Sequence, residues 1–572
     1  MDLQLLPLGV CLLTTPVLAQ AIAPVPSELT PLWSVQSQLP AAALGALADP
    51  GEQRALFVEL NELDWATAND DEEVLELELF DRETLTLVAR RMGSPRPGAA
   101  IWHASWADGG SFSLAVQNES MHATLRLDGS LYKLRPRPTG GHMLAEVDAS
   151  ELPPCGNKHE HEVASVSQAE SGALAAEALL GPLTMIDVLV AWTPAAKNQA
   201  GGTNGITSLI DLAVFETNQS FQNGNAQCAM RLVHAYETNY SESGSMSQDL
   251  SRFRSTSDSH MPEVHGLRNT YGADACALIS TGGGACGVGY LMTNVTNSFK
   301  SSAFNTTARG CAVGNLTFGH EFGHNFGCAH DKGNAGSASK FYAYGYRTPN
   351  NQYRTVMAYS PGQRVPVFSS PLAEWNGWTM GVANSEDNGR ALDLNNATIA
   401  GWRPTQVAIV DCNNNGVHDP IDIAFGLEDD SDGDGVLDSC TSLFAEPTIV
   451  PIIPGGTQTL ELNAGSEHAN RLYLLLGTAS GTSPGTTFGN VDVPLNLDPY
   501  TNWVLSGSSF VSSVAGFLDS NGEASNSIVI PPGLVPLSAI TLTEIYHAFV
   551  VYDEFTVPVF ASTPAHLVLG VL

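Results

Sequence analysis

Residues Phe318–Asp331 read FGHEFGHNFGCAHD, and the rest of the chain has to fold around them. His320 and His324 are four apart, so a helix stacks them on one face. Glu321 lies one position round, beside whatever those histidines hold. Two imidazoles on a metal ion, with a carboxylate placed to take a proton from water, are the working parts of a zinc hydrolase. Gly327 then stops the helix, since glycine takes the left-handed cap without a Cβ clash. The chain can turn back there and deliver His330 as a third ligand. Three protein nitrogens leave the fourth zinc position open, as catalysis requires.

Two histidines at helical spacing could also merely pack or cap. The longer pattern HExxHxxGxxH is complete here, however, and Thr355-Val356-Met357-Ala358-Tyr359 downstream reads as a methionine turn. In these residues the chain resembles the metzincin zinc endopeptidases. With Asp331 straight after the third histidine, it is most similar to the reprolysin/ADAM-type branch and its bacterial relatives. The resemblance implies hydrolysis of protein or peptide substrates, with His320, His324 and His330 on Zn2+ and Glu321 as catalytic base. It also implies that Met357 forms an apolar floor beneath the metal without ligating it. Tyr359 stands where astacin-like and serralysin-like metzincins place a tyrosine able to stabilise the transition state. Reprolysins generally lack that tyrosine, so the chain departs there from its nearest branch. His234, His260 and His265 fall at no ligand spacing and are left out of the site.

At 572 residues the chain exceeds one core, and length suggests about three or four domains. Its 25 basic against 59 acidic residues give a net charge of −34, which repels nucleic acid and anionic membranes. Residues 3–19 are a short apolar run ending in small residues, and 1–21 are read as a signal peptide, although Asp2 replaces the usual basic start. No later run is long enough to span a bilayer, and no membrane anchor is seen, so the chain is expected to be secreted and extracellular. Of its nine cysteines Cys11 falls in the leader, leaving eight for an oxidising compartment.

Residues 22–156 alternate apolar and polar positions in short runs such as Leu75–Phe80 and His122–Leu127, the pattern of an antiparallel sheet. Their order resembles the β-rich propeptides of secreted reprolysin-like enzymes. Cys155-Gly156 at the end of this region resembles the cysteine switch of metzincin zymogens, in which a thiolate fills the open zinc position. The even cysteine count allows instead that Cys155 pairs in a disulfide. Residues 157–182 read as an exposed activation linker without a dibasic site.

Residues 183–404 alternate strands and helices ahead of the zinc helix, which predicts an α/β domain built on a mixed sheet. Ile186–Trp192 reads as its buried first strand, Ile206–Phe221 as a helix and Gly287–Leu291 as an edge strand. The resemblance makes that edge the place where an extended substrate pairs. Cys286 and Cys311 flank the edge and the loop into the zinc helix and are paired on that ground. Cys228, Cys276 and Cys328 receive no assignment.

Residues 405–441 are read as a calcium-binding unit. Asp411, Asn413, Asn415, Val417 through its carbonyl, Asp419 and Asp422 fall at positions 1, 3, 5, 7, 9 and 12 of a Ca2+ loop, with Gly416 at the sharp turn. A second, incomplete loop offers Asp430, Asp432, Asp434, Val436 through its carbonyl, and Asp438. The pair resembles dockerin-like or thrombospondin-type-three repeats, and a Cys412–Cys440 disulfide would close it. An acidic linker without metal is the plainer reading. Residues 442–572 return to short β-runs and predict an accessory β-sandwich, suited to contact with a surface or polysaccharide.

Taken together, the sequence predicts a multidomain secreted zinc metalloendopeptidase made as a zymogen. The rival is a calcium-stabilised adhesion protein carrying a silent metalloprotease-like domain. Intact Glu321 and all three histidines favour the enzyme.

Overall fold

A computed structural model describes residues 32–38, 49–60, 72–80, 84–93, 95–96, 98–106, 109–156, 183–413, 415–428, 430, 436–482, 484–489, 491–507, 510–532, 543–554 and 556–570. The expected signal peptide, the activation linker, Asp432 and Asp434 lie outside the described residues.

The N-terminal region is one antiparallel sheet. Its strands are β1 (Trp33–Gln38), β2 (Glu52–Leu60), β3 (Glu72–Leu77), β4 (Leu85–Arg91), β5 (Ala99–Ser105), β6 (Ser111–Gln117), β7 (Ser120–Leu127), β8 (Ser130–Pro136) and β9 (His142–Val147), in the order β1-β2-β9-β8-β7-β6-β5-β4-β3. Successive side chains on a strand point to opposite faces, and along β7 this separates two environments. Ala123 and Leu125 join Trp33, Trp102, Phe112 and Tyr132 in an apolar core. His122, Thr124 and Arg126 point the other way, yet they are buried too. They meet residues 183–404, where His122 Nδ1 lies 2.9 Å from Ser208 Oγ and Thr124 Oγ1 donates to Glu216 at 2.8 Å. Lys133 from β8 donates to the Gly310 carbonyl at 2.6 Å. This face is buried but polar.

Residues 183–404 carry a mixed sheet of β10 (Thr184–Trp192), β11 (Cys228–Glu237), β12 (Ala275–Ser280), β13 (Gly287–Gly289) and β14 (Phe304–Ala308), ordered β11-β10-β12-β14-β13. Only β13 runs antiparallel to its neighbour. Helices cover both faces, which is why Ile186–Trp192 of β10 is apolar at every position except Asp187, whose carboxylate accepts from Arg231 at 2.7 Å, instead of alternating with polar residues. Ile186, Val188 and Val190 pack beneath the long helix Thr203–Asn223 and the helix Thr317–Asn325. Leu189 and Ala191 pack on the other side against the helices Met246–Arg254 and Glu263–Tyr271.

The elements differ from the sequence reading in three places. The edge strand stops at Gly289 and does not reach Leu291. Phe304–Ala308 forms the strand beside it, although its Asn and Thr residues give no apolar run; its side chains are all buried, and Asn305 Nδ2 donates to Asn325 Oδ1 of the helix layer at 3.0 Å. The helix Asn388–Ala400, capped by the Asp387 carboxylate on the Arg390 amide, closes the region just before the expected boundary.

The 405–441 unit does not stand apart. Its helix Asp419–Phe425 sets Ile421 and Phe425 against Ala229 at the outer edge of the sheet, and Gln222 donates to the Phe425 carbonyl at 2.8 Å. Both disulfides read from the sequence are closed, Cys286–Cys311 and Cys412–Cys440. Beyond them, a three-stranded and a six-stranded sheet face each other over a core that includes Leu460, Leu475, Phe549 and Leu567.

Asn325, at the end of the helix Thr317–Asn325, ties that helix to the sheet edge. Its Nδ2 donates to the carbonyls of Tyr290 and Phe304, and its Oδ1 accepts from Asn305, all within 3.0 Å. Asn325→Leu keeps the volume and leaves buried polar groups without partners. It is expected to cost about 1–3 kcal/mol for each group left so, read as a lower midpoint in urea at unchanged slope.

Candidate active site

The helix Thr317–Asn325 is buried along its whole length, and its first turn carries Phe318 and Phe322 into the core that also holds Phe326. That packing fixes its rotation, and rotation decides where His320 and His324 point. Gly327 follows with φ at +98°, a left-handed conformation; a Cβ there would come within 2.6 Å of Ser339 Oγ. The chain reverses as the sequence predicts and brings His330 back.

The three imidazoles converge. His330 Nε2 lies 3.2 Å from His320 Nε2 and 3.0 Å from His324 Nε2. Nitrogen ligands at the usual zinc distance in a tetrahedron stand about 3.3 Å apart, so the spacing suits one small ion. Two of the rings are oriented from behind. His320 Nδ1 lies 2.8 Å from the Val356 carbonyl, and His324 Nδ1 lies 2.9 Å from the Cys328 carbonyl. A proton on each Nδ1 leaves Nε2 with its lone pair, which is the tautomer that binds a metal. Burial and the neighbouring imidazoles hold His320 well below the ordinary histidine range, which keeps it neutral. The donor set fits zinc.

Cys155 joins this group from the N-terminal region. Its Sγ is 3.7 Å from His324 Nε2, and its thiol and the three histidine nitrogens all lie within 4.8 Å of one another. The thiol is not in a disulfide. The segment leading to it lies along the sheet edge, where the Cys286 amide donates to the Pro154 carbonyl at 3.2 Å and the Gly156 amide to the Gly287 carbonyl at 2.8 Å. Gly156 has to be small, because a Cβ would come within 2.7 Å of Val288 Cγ2.

Glu321 is fully buried beneath that edge, its carboxylate facing the Cys155 thiol. Burial pushes its carboxyl up to about 8, against the opposing pull of the Cys155 thiol and the Arg364 charge. A Cβ on Gly287 would meet Glu321 Oε1 at 2.4 Å, so the edge strand passes over the carboxylate with no room for a side chain. Met357 lies under the helix, its Sδ 2.5 Å from where a Gly323 Cβ would stand. Tyr359 packs its ring 4.1 Å from that of His330, and its hydroxyl donates to the Cys155 carbonyl at 3.0 Å.

The first loop of the 405–441 unit is folded about Asp411, whose carboxylate accepts from the amides of Asn415 and Gly416. Gly416 has φ at +87°. Asn415 Nδ2 donates to Asp422 at 3.0 Å, and Asp419 accepts from the Cys412 amide. Burial and the nearby acids Asp419, Glu428 and Asp411 raise the Asp422 carboxyl. Val417 is buried on the helix side of this loop. In the second loop Asp430 is buried, Asp438 opens a short 3-10 turn ending at Cys440, and Val436 precedes it.

Sequence reasoning passed over two residues here. Arg354 and Arg364 pair across a short parallel bridge and are buried beside the metal-ligand group, sharing one cavity with His320, Cys155 and Tyr359. Burial pushes their guanidinium groups down, to about 8 for Arg354 and about 10 for Arg364. Their signal was the scarcity of basic residues: two of only 25 fall within ten positions, on either side of the methionine turn.

The profile of metallopeptidase family M12 matches residues 183–369. The chain is 32% identical over 390 residues to a peptidyl-Asp metalloendopeptidase of Xanthomonas campestris pv. campestris, covering 63% of this chain and 91% of the relative. Two proteins of the same description from Stenotrophomonas maltophilia are similar to it. One, from strain K279a, is 33% identical over 58% of this chain and 83% of its own. The other, from strain R551-3, is 35% identical over 55% of this chain and 75% of its own. The convergent histidines, the buried Glu321 between them and the sheet edge, and the extent of these matches agree, and the chain belongs to the family M12 metallopeptidases as a metalloendopeptidase.

Proposed function

We propose that the protein is a secreted zinc metalloendopeptidase that cuts beside aspartyl residues and is held inactive by its own N-terminal region until Cys155 is withdrawn. The observation that carries this reading is the Cys155 thiol set among three convergent imidazoles. His320, His324 and His330 would hold zinc. When bound, that ion would polarise the scissile carbonyl and make water acidic enough to attack at neutral pH.

The chain's own groups do the rest. A substrate strand takes the place of Pro154–Gly156 along Gly287–Gly289 and is fixed by main-chain hydrogen bonds. Glu321, shielded from bulk water, accepts the proton of the attacking water and returns it to the leaving amine. Tyr359 already donates to a main-chain carbonyl in the cleft, which suits it to stabilise the oxyanion. Met357 supports the helix from below and touches no reacting atom.

The preference for aspartate rests on the relatives, which are described as peptidyl-Asp metalloendopeptidases. Inhibition by the N-terminal region rests on two features. Leu152–Cys155 lines the same cavity as His320 and Tyr359. The polar face of the N-terminal sheet can also part from the catalytic region and leave both surfaces wettable, which an apolar interface could not. Export rests on the apolar start of the chain and on two closed disulfides. Among the described residues no helix is long and apolar enough to cross a membrane. The Asp411–Asp422 loop is proposed to take Ca2+, since its oxygen-rich side chains keep the spacing of a hard-cation loop. The two facing C-terminal sheets are proposed as an accessory domain for surface or polysaccharide contact.

Glu321→Ala is expected to lower casein cleavage at least a thousandfold while the protein still binds one zinc, measured by metal analysis; undiminished cleavage would remove Glu321 from the mechanism. Cys155→Ala is expected to give a full-length precursor that cuts a short peptide before any processing. A mutant precursor as inert as the wild type would show that the thiol is not the block. For the loop, EGTA at a concentration that spares zinc should lower the melting temperature by several degrees, with Ca2+ restoring it. An unchanged melt would return this unit to a metal-free linker.

A further inference from the structure

Arg354 and Arg364 are charged groups that the fold has taken out of water without giving them an acid. Arg364 is 7% exposed and Arg354 4%. Arg364 donates to the carbonyls of Asn315 at 2.9 Å and Ala358 at 3.4 Å, and its buried Nε has no partner among the described residues. Arg354 donates to the Gly362 and Ala358 carbonyls, at 2.7 and 2.6 Å. Both guanidiniums therefore converge on the carbonyl of Ala358, the residue between Met357 and Tyr359. Two like charges this close repel, and neutral carbonyls offset only part of the cost.

The acids nearby do not relieve them. Asp331 is engaged by Arg347 at 2.8 Å, by Asn334 and by the Tyr359 amide. Glu321 feels the charge of Arg364 but makes no bond to it. The N-terminal segment fills the cleft beside them with Leu152, Pro153, Pro154 and Cys155 and brings no carboxylate into the shared cavity, which measures about 250 Å³. Buried charges are normally paired. Here the pairing group is missing at the one place where a substrate enters.

We infer that Arg364, backed by Arg354, forms the subsite that receives the aspartyl side chain next to the scissile bond. The guanidinium fork matches a carboxylate with two parallel hydrogen bonds, which an amide of the same shape cannot satisfy as well. This inference rests on the proposed aspartyl preference and assigns it to residues.

The test uses protein recovered from expression of the full chain and a set of peptides that differ only in Asp, Asn, Glu or Ala at a single position. Wild type should cleave next to Asp at least about 100-fold faster, in kcat/KM, than next to Asn, the scale expected for losing a buried charged partner. Arg364→Gln should bring that ratio to within a few-fold of one, Arg364→Lys should keep part of it, and Arg354→Gln should weaken it less than Arg364→Gln. Thermal melts identify any variant that fails to fold. The same peptides are titrated by fluorescence anisotropy against Glu321→Ala with and without Arg364→Gln, each carrying an added protease site in the 157–182 segment and freed of its N-terminal region by that protease, so that recognition is read in an open cleft without turnover. Wild type that cuts efficiently with no Asp preference overturns the inference and leaves the endopeptidase intact. An Asp preference that survives in folded Arg364→Gln and Arg354→Gln overturns the assignment to these residues. Wild type that cuts nothing counts against the proposed function, and the binding titration still decides this one.

Discussion

Three convergent imidazoles, with His330 Nε2 about 3 Å from the Nε2 of each of the other two, are the demand the catalytic region is built to meet. Neutral histidines have no reason to gather so closely in a dry interior, since each buried ring gives up water and gains little from its neighbours. The arrangement has to be imposed from outside. Phe318, Phe322 and Phe326 set the rotation of the helix, the Val356 and Cys328 carbonyls turn two of the rings, and the left-handed Gly327 brings the third ring round. Each device works through packing or the main chain. None uses a charge that would compete with a divalent ion.

The same helix organises what surrounds it. On one side Asn325 joins it to Phe304 and Tyr290, so the position of the sheet edge is set by the element that carries the ligands. On the other, Met357 supports Gly323 and hands the chain on to Tyr359 and the two arginines. Cleft floor, substrate edge and side pocket are thus three neighbours of one short helix. The glycine pair Gly287 and Gly289 lets the edge pass close over Glu321, which shuts that carboxylate away from water until a substrate brings the reacting atoms.

Much of this was legible in the sequence, and the reason differs from part to part. The convergence of His320, His324 and His330 was readable because their spacing is fixed by helix geometry and one turn, both local. Strand β10 was readable as an apolar run, interrupted only by Asp187, because a strand covered on both faces needs few polar positions. Strand β14 was not, because Asn305, Thr306 and Thr307 are polar residues buried by tertiary contacts that no local pattern encodes. The docking of the 405–441 unit was missed for a similar reason: Ile421 and Phe425 look like a small internal core until Ala229 is brought against them. Arg354 and Arg364 escaped because a sequence shows where charges are but not which of them are left without an acid.

That last point bears on how the N-terminal region and a substrate differ as occupants of one cleft. On the proposed function both lie along Gly287–Gly289 and bond through the main chain, so edge pairing does not tell them apart. The N-terminal segment sets a thiol among the three histidines and apolar side chains beside the arginines, which on the proposed function blocks the site while leaving two buried charges unrelieved. A substrate that carries a carboxylate gives up the thiol contact and neutralises those charges instead. An inhibitory segment that satisfied every group in the cleft would bind too well to leave. One that neglects the guanidiniums keeps a difference in free energy that favours exchange for an acidic substrate.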